Sequence, residues 1–320
     1  MNDFALYQVA KGLNREADSQ KYLNRSRNWR QHWNPEATAL GFKGFVVPRT
    51  VEGFLEQNPL SCGDCYWSSH CQFFFSFSIS ALRLLRRLVI IASAANISLF
   101  VDYQSPPWQY SFNAHHDMTD LIKHMGGAES FLARLDATFK PGLYPDGDAR
   151  FNKSLFDPSN EPGFTTPYLY NFVNRPDRSV QRVRDIANTH YRLTPDGLPG
   201  ESDAGAMESW LLWAMLGLYP LTGQTTFLIG SPWFSNLVIR LGSSGKTLEM
   251  NATGGSADAF HVQSLKINGQ LWTKSWVSWE DVFERGGTME FVLGKEPVMW
   301  ATGPPPPSPA SQGIDIKSTL

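Results

Sequence analysis

The stretch DGLPGESDAGAMESWLLWAMLGLYP, residues 196–220, joins a turn, two acidic side chains and an apolar helix. Its first five residues are rich in Gly and Pro and predict a tight turn. Glu201 and Asp203 follow, and from Met207 the side chains are apolar on almost every side, which predicts a helix that is buried all round. From these residues alone the two acids either cap the helix, because Asp and Glu favour a first turn, or form the rim of a catalytic site.

Periodic patterns on both sides of this stretch predict a mainly α chain followed by a β module. Apolar residues recur at helical spacing in segments before it, namely residues 4–33, 117–125, 128–139 and 177–192. After Pro220 short alternating runs predict strands, and Asn268-Gly269 predicts a hairpin. Paired helices joined by loops suit an α/α toroid.

The opening stretch also resembles the signature of glycoside hydrolase family 92, the calcium-dependent α-mannosidases, in which a GLPGNDDxGxM-type segment carries the catalytic base. Further segments are similar to that family in the same order along the chain: YLNRSRNW (22–29), GFKGFVVPR (41–49), WQYSF (108–112), HHDM (115–118), NEP (160–162) with PYLYN (167–171), IGSP (229–232) and Asn268-Gly269. Matches in order across almost the whole chain are far more specific than any single motif.

The resemblance implies how the chain is divided. Residues 1–225 are expected to form the catalytic portion of a partial (α/α)6 toroid, and residues 226–303 a small antiparallel β module. Residues 304–320 form a Pro-rich tail that we expect to be extended and unpacked. The family also has an N-terminal β-sandwich domain, which we expect full-length relatives to carry and which has no counterpart here.

The resemblance places the catalytic groups at three positions. An inverting glycosidase needs a base for the incoming water and an acid for the leaving oxygen, with their carboxyls roughly 6.5–9.5 Å apart. Asp203 is at the position of the base, and Glu201 is the second acid of the same loop. Gln104 stands where the family has the Glu that acts as general acid. An amide has no titratable proton, so we expect a rate lower by about 10²–10⁴.

A calcium site is expected at Asn160 and Glu161. Ca²⁺ takes oxygen ligands from carboxylates, amide carbonyls and water, and this pair offers an amide oxygen and a carboxylate side by side. From the residues alone the pair could equally form a turn. The resemblance implies a Ca²⁺ ion here that holds the diol of the sugar, acting as Lewis acid and template.

Five residues around residue 110 are expected to bind substrate: Trp108, Tyr110, His115, His116 and Asp117. Trp108 could be a stacking platform at the wall of the site or part of the core, and we favour the wall. Adjacent histidines on a helix diverge, so a zinc pair at His115 and His116 is disfavoured. We expect Asp117 to cap the start of a helix and one His to be hydrogen-bonded near the site.

The composition excludes some partners. The formal net charge is −2, and apart from Arg83-Leu84-Leu85-Arg86-Arg87 there is no basic block, so a nucleic-acid partner is not predicted. Eleven Trp and ten Tyr suit either a large core or sugar binding. The partner implied by the resemblance is an α-mannoside or an N-glycan-type oligosaccharide.

Residues 71–101 interrupt the family-like sequence and are predicted to be an insertion foreign to the fold. A retained intron in the gene model would produce such an insertion. The apolar runs at 73–79 and 88–92 flank arginines, and neither reaches the about 20 consecutive apolar residues of a membrane helix. Membrane association through residues 73–100 is therefore a weaker alternative. Cys62, Cys65 and Cys71 make a poor zinc site, and the resemblance implies a local disulfide or loop thiols.

The sequence is compatible with two functions. The first is an exo-acting, inverting, calcium-dependent α-mannosidase, and the second is a non-catalytic, sugar-binding or inert remnant of such an enzyme. The N-terminal residues do not have the pattern of a signal peptide. Four N-glycosylation sequons are compatible with secretion, at Asn24, Asn96, Asn152 and Asn251. The resemblance implies secretion of full-length relatives.

Overall fold

The computed structural model describes residues 2–61, 105–145 and 147–311, in which seven of the eight α-helices lie before residue 217 and eight of the ten strands lie after it. The helices are α1 (Asn2–Gly12), α2 (Glu16–Ser26), α3 (Pro107–Tyr110), α4 (Met118–His124), α5 (Ala128–Thr138), α6 (Pro176–His190), α7 (Ala206–Leu216) and α8 (Trp279–Val282). Short 3₁₀ segments are Asn28–His32, Ala149–Phe151, Glu161–Gly163, Thr166–Val173, Gly242–Ser244 and Pro309–Ser311. The strands are β1 (Trp33–Ala39), β2 (Phe42–Val46), β3 (Leu218–Pro220), β4 (Thr226–Ile229), β5 (Asn236–Arg240), β6 (Thr247–Thr253), β7 (His261–Ile267), β8 (Gln270–Leu271), β9 (Trp276–Ser278) and β10 (Gly287–Gly294).

The helices that the apolar periodicity predicts are confirmed. Residues 4–33 form α1, α2 and a 3₁₀ segment, and α4 and α5 meet at Gly126 and Gly127. Both glycines have positive φ, 92° and 95°, a conformation in which a side chain would be strained. The pair therefore ends one helix and lets the chain turn into the next.

A buried arginine organises the core of the helical part. The guanidinium of Arg134, on α5, donates to the carbonyl oxygens of Lys43 and Gly44 at 2.8 and 2.9 Å. It also lies 4.2 Å from the ring centre of Phe45 and 5.7 Å from that of Trp108. Burial lowers the pKa of Arg134 to about 9. Cation–π contact and carbonyl acceptors offset the loss of hydration, and they tie α5 to the β1–β2 hairpin.

The predicted β module is mixed rather than purely antiparallel. A three-stranded antiparallel sheet has the order β3-β4-β9, and a five-stranded sheet has the order β5-β6-β10-β7-β8. Within the second sheet β10 pairs with β6 in parallel. The prediction of antiparallel pairing throughout is wrong there, because β7, β8, β9 and α8 form a crossover that brings β10 back beside β6 in the same direction.

The predicted hairpin at Asn268-Gly269 is confirmed. These two residues join β7 to β8, and both have positive φ, 49° and 76°. Two left-handed residues in succession give the type I′ turn, whose twist matches that of the flanking strands.

Helix α7 is not buried all round, so that prediction is wrong. Its buried side chains are Met207, Trp210 and Ala214, which lie on one stripe of the helix. Leu212, on another face, is 55% exposed. Leu211 and Trp213 are partly buried against the neighbouring cores, so an apolar sequence shows that a helix can be buried but not that every face is covered.

The end of the described chain is packed against the helices. The backbone N–H of Ala310 donates to the carbonyl oxygen of His116 at 2.9 Å, and Arg27 Nε donates to the carbonyl oxygen of Ala310 at 2.7 Å. Ala310 and Ser311 are both buried. The expectation of an unpacked tail is therefore wrong for residues 304–311, because backbone and hydroxyl groups there satisfy buried partners.

Asp117 is the hydrogen-bond acceptor that connects the segment after α2 with the end of the described chain. Its fully buried carboxylate accepts from Trp29 Nε1 at 2.9 Å, from the Arg30 guanidinium at 2.9 Å and from Ser311 Oγ at 2.5 Å. It makes no side-chain hydrogen bond to the first turn of α4, so the expected helix cap is wrong. The carboxylate instead joins the segment after α2 to the end of the described chain.

None of the helices in the described ranges is long and apolar enough to cross a membrane. Residues 71–101 and the three cysteines, for which an insertion, a membrane segment and a disulfide were considered, lie outside the described residues.

Replacing Asp117 by Ala is expected to lower the free energy of unfolding by about 3–5 kcal/mol, because Trp29 and Ser311 would lose a buried acceptor and Arg30 would keep only Asp120 as a carboxylate partner. Urea denaturation followed by circular dichroism measures this change. The matched control is Asp258→Ala, which removes a carboxylate that is 65% exposed and pairs with Lys295. We expect that loss to be much smaller than the loss in Asp117→Ala, because solvent screens an exposed ion pair. Equal losses in the two variants would contradict a central role for Asp117.

Candidate active site

The loop that carries the two predicted acids has an unusual backbone. Asp203, Ala204 and Gly205 have φ of 40°, 63° and 83°, so three successive residues are left-handed. Such a conformation is strained for Asp and Ala, and strain of this kind is found disproportionately at functional sites. The N–H of Ala206 donates to the carbonyl oxygen of Ser202 at 2.8 Å, closing the loop onto α7. Glu201 and Asp203 are both exposed on this turn.

The loop touches the segment that contains Asn160 and Glu161. A Cβ placed on Gly200 would lie only 2.6 Å from the Cβ of Ser159 and 3.2 Å from the methyl group of Met207. Because Gly200 has no side chain, the two backbones approach to a distance that any other residue would prevent. The acidic loop and the Asn-Glu pair, about forty residues apart in the chain, therefore adjoin in space.

The Asn160 side chain belongs to a chain of hydrogen bonds. Asn160 Nδ2 donates to Ser105 Oγ at 3.0 Å, and Ser105 Oγ donates to Gln109 Oε1 at 2.5 Å. Ser105 and Gln109 are buried, while Asn160 is half-buried. Sequence reasoning missed Ser105 and Gln109, although both flank the predicted Trp108 and the second is part of the WQY motif.

Glu161 offers a carboxylate oxygen suited to a cation. Its Oε1 atom is buried and finds no hydrogen-bond partner among the described residues. A buried carboxylate oxygen is costly unless a donor or a cation satisfies it, and Ca²⁺ prefers oxygen ligands of this kind. In the described ranges no three His, Cys, Asp or Glu side chains group as a metal cluster. A Ca²⁺ ion at this site would therefore need amide, backbone or water oxygens beside Glu161.

Aromatic side chains fix α7 against the Asn-Glu segment. Trp210 Nε1 donates to the carbonyl oxygen of Phe164 at 2.9 Å, and its ring stacks on Tyr191 with centres 5.6 Å apart. Tyr168 stacks on Tyr219 at 4.1 Å, and burial raises the pKa of Tyr219 to about 12. Trp210 thus ties α7 to the segment after Glu161, and Tyr219 ties the strand that follows α7 to Tyr168.

On the other side of the loop, Ser202 faces the helix. Its hydroxyl donates to Glu208, and this hydrogen bond lowers the pKa of Glu208. The Ser202 side chain is therefore hydrogen-bonded to the first turn of α7. The exposed acids of the loop are Glu201 and Asp203.

Trp108 lies in the core and not at the wall of a site. Its side chain is 0% exposed, and its Nε1 donates to Thr138 Oγ1 at 3.0 Å. The ring packs edge-on against Phe42 and beside Phe45, so no face is open to a sugar. Tyr110 is half-buried, and its role in binding substrate stays a prediction.

His115, His116 and Asp117 lie against the N-terminal helices. His116 Nε2 is 2.8 Å from the carbonyl oxygen of Ser26, and its ring stacks on Phe4 at 5.1 Å. Neither ring nitrogen of His115 has a hydrogen-bond partner in the described part of the chain, and burial lowers its pKa to about 3. At 3%, 2% and 0% exposure these side chains build the fold, and they are not brought to the acidic loop by any contact described above.

Gln104 lies outside the described residues, so the position of the expected general acid is not defined. A cleft of about 510 Å³ lies between Arg240, Trp279, Phe283 and Glu284, in the β region. It contains none of the residues that the sequence predicts for the site.

The comparisons with known proteins identify the family. A model of the glycosyl hydrolase family 92 catalytic domain matches residues 1–295. A relative described as an uncharacterized secreted glycosidase of Arthroderma benhamiae is 30% identical over 325 residues, which cover 99% of this chain and 37% of the relative. The GH92 α-mannosidase BT3965 of Bacteroides thetaiotaomicron has a similar structure, with a TM-score of 0.71 and 26% identity over 96% of this chain and 36% of that one. This chain belongs to glycosyl hydrolase family 92.

Other solved structures agree on the fold. BT3965 in complex with mannoimidazole gives a TM-score of 0.74 at 24% identity, over 99% of this chain and 39% of that one. The inverting mannosidase BT2199 gives 0.69 at 20% identity, over 98% and 38%. The chain thus spans less than two fifths of the length of these relatives. The resemblance to the family is confirmed, whereas the (α/α)6 toroid and the domain boundaries stay predictions.

The contact at Gly200 can be tested by adding one methyl group. Gly200→Ala is expected to lower the free energy of unfolding by about 1–3 kcal/mol, because the new Cβ overlaps Ser159. Gly12→Ala is the matched control, since a Cβ there meets nothing within 4 Å. We expect the control to be neutral or stabilising by less than about 1 kcal/mol. Chemical denaturation of both variants decides, and a neutral Gly200→Ala would mean that the loops do not touch.

Burial of His115 predicts a loss of stability in acid. Its pKa is about 3 in the folded chain and 6.5 ordinarily, so between these values only the unfolded chain takes up the proton. The contribution is fully present above pH 6.5 and is lost as the pH falls towards 3, with a slope of at most about 1.4 kcal/mol per pH unit, the value for one proton. His115→Leu should flatten the dependence of unfolding free energy on pH in this range. Parallel curves for the two proteins would show that His115 is not the cause.

Proposed function

We propose that this chain is the catalytic part of an exo-acting, inverting, calcium-dependent α-mannosidase. The observation that carries the proposal is the contact of Gly200 with Ser159, which joins the loop of Glu201 and Asp203 to the Asn160–Glu161 segment. An acidic loop on one side and a carboxylate oxygen suited to a cation on the other are the parts that this reaction requires. Membership of a glycosidase family with mannosidase neighbours supports the same function.

Asp203 is the proposed base. Its exposed carboxylate would accept a proton from the water that attacks the anomeric carbon, while the left-handed backbone of residues 203–205 keeps its direction fixed. Glu201, two residues earlier and also exposed, would orient that water or the sugar hydroxyls. A rigid backbone matters because small errors in the position of a base cost large factors in rate.

Asn160 and Glu161 are the proposed calcium ligands. Glu161 Oε1, which has no hydrogen-bond partner among the described residues, and the amide oxygen of Asn160 would supply the hard oxygen atoms that the ion requires. When bound, Ca²⁺ would supply Lewis-acid polarisation of sugar hydroxyls and a template for the ring. The chain's own part is to hold these two side chains beside the acidic loop.

Gln104 sets the expected level of activity. It occupies the position at which the family resemblance implies a general acid, and a carboxamide cannot protonate the leaving oxygen. This substitution favours a second candidate, a sugar-binding protein that has lost most of its catalysis. The substrate class under both is a terminal α-linked mannose, as in an N-glycan-type oligosaccharide. A secreted location is proposed on the description of the Arthroderma relative.

Restoring the carboxyl group tests the proposal. We expect Gln104→Glu to raise the rate of α-mannoside hydrolysis by about 10²–10⁴ in the presence of Ca²⁺, because it returns a general acid. The rate of release of an aryl leaving group is unsuitable alone, since a good leaving group needs little acid catalysis, so a mannose disaccharide is assayed beside it. Asp203→Asn, made in the Gln104→Glu background, should abolish the gain.

The outcomes separate the candidates. A gain that requires both Ca²⁺ and Asp203 supports the mannosidase. Calcium-dependent binding of a mannoside without any gain in rate supports the sugar-binding remnant. Neither hydrolysis nor binding at any Ca²⁺ concentration contradicts both proposals.

A further inference from the structure

Two buried residues, Ser105 and Gln109, belong to the series of hydrogen bonds that ends at Asn160, and the proposed reaction does not use them. Ser105 is 0% exposed and Gln109 is 3% exposed, so neither contributes a solvated surface. Ser105 lies two residues before α3, and Gln109 lies on α3. A polar pair at such a depth is costly to bury unless it is hydrogen-bonded. Ser105 Oγ and Gln109 Oε1 bond each other and reach the Asn160 side chain, whereas Gln109 Nε2 has no hydrogen-bond partner among the described residues.

We infer that Ser105 and Gln109 are positioning residues that fix the orientation of the Asn160 carboxamide for a cation. The inference rests on the proposed function, in which Asn160 and Glu161 hold Ca²⁺, and adds residues that do not touch the ion. A carboxamide has a donor end and an acceptor end, and only its oxygen can bind a cation. With Nδ2 directed at Ser105 Oγ, the Asn160 oxygen is directed to the other side.

Gln109 determines which groups donate and which accept in the hydrogen bonds that link Gln109, Ser105 and Asn160. A serine hydroxyl has one proton, and that of Ser105 is given to Gln109 Oε1 at 2.5 Å. The lone pairs of Ser105 Oγ are then left to accept from Asn160 Nδ2. Without Gln109 the hydroxyl could turn and donate to the oxygen of Asn160, which would direct the amide nitrogen, rather than the oxygen, towards the proposed ion.

Packing holds Gln109 in this orientation. A Cβ on Gly163 would lie 2.4 Å from Gln109 Nε2, so the amide nitrogen of Gln109 rests directly on the backbone of the 3₁₀ turn Glu161–Gly163. That turn also carries Glu161, whose Oε1 is buried without a partner in the described part of the chain. The amide of Gln109 therefore bears on both proposed ligands, on Asn160 through Ser105 and on the Glu161 turn by contact.

The experiment measures calcium affinity of the full chain by isothermal titration calorimetry. The variants are Ser105→Ala, Gln109→Leu and the double variant, each checked for folding by its thermal unfolding curve. We expect each single change to weaken Ca²⁺ binding about tenfold or more, as loss of a group that orients a ligand does. We expect the double variant to bind no more weakly than the weaker single one, because both changes break the same chain of hydrogen bonds.

Thr138→Ala is the matched control. Thr138 is a buried hydroxyl that accepts from Trp108 and donates to the carbonyl oxygen of Arg134, with no link to Asn160. It should lower thermal stability while leaving calcium affinity unchanged. If one of the single variants does not fold, the other decides alone, since either removes the direction of donation.

Three results would overturn the inference. They are unchanged calcium affinity in Ser105→Ala or Gln109→Leu, effects of the two changes that simply add, and no measurable Ca²⁺ binding by the parent chain at millimolar concentration. Binding of a mannoside is titrated separately, at saturating Ca²⁺. Weakened calcium binding in the variants without mannoside binding in the parent would support the positioning role and contradict the mannosidase proposal, so the two can fail independently.

Discussion

The close contact between the backbones at Gly200 and Ser159 is the constraint on which the candidate site depends. It brings an exposed acidic loop beside a segment with a buried carboxylate oxygen, although the two are distant in the chain. Helix α7 continues from the loop, and Trp210 ties that helix to Phe164 a few residues beyond Glu161. The missing side chain at Gly200 and the hydrogen bond of Trp210 therefore hold the acidic loop beside the Asn160–Glu161 segment. The strained backbone of the loop would not by itself bring the two segments together.

Local structure was predictable because it depends on local patterns. The helices around Gly126-Gly127 and the turn at Asn268-Gly269 follow from apolar spacing and from residues that accept positive φ. The exposure of Leu212 and the packing of Ala310 were not predictable, since they depend on surfaces far away in the sequence. Asp117 shows the reason: its partners come from residues 29, 30 and 311, and no local pattern indicates a carboxylate that closes three distant segments.

The site was predicted in outline and corrected in detail. Motif resemblance identified the loop and the Asn160–Glu161 pair, which the structure brings together, and it also pointed to Trp108, which is core. A motif contains both the side chains that meet a substrate and those that support them, and spacing alone does not separate the two. Burial does separate them. Ser105 and Gln109 went unnoticed because an isolated Ser or Gln next to a proline-rich turn has no distinctive pattern, and only their hydrogen bonds to Asn160 reveal a role.

A crystal structure of the chain grown with Ca²⁺ and a mannose-like inhibitor would test the central claim most directly. We expect one ion in contact with Glu161 and the Asn160 oxygen, and the sugar ring between that ion and the Asp203 carboxylate. An ion or a ring bound elsewhere, or an Asp203 carboxylate directed away from the sugar, would contradict the claim that the acidic loop and the Asn-Glu segment form a single site.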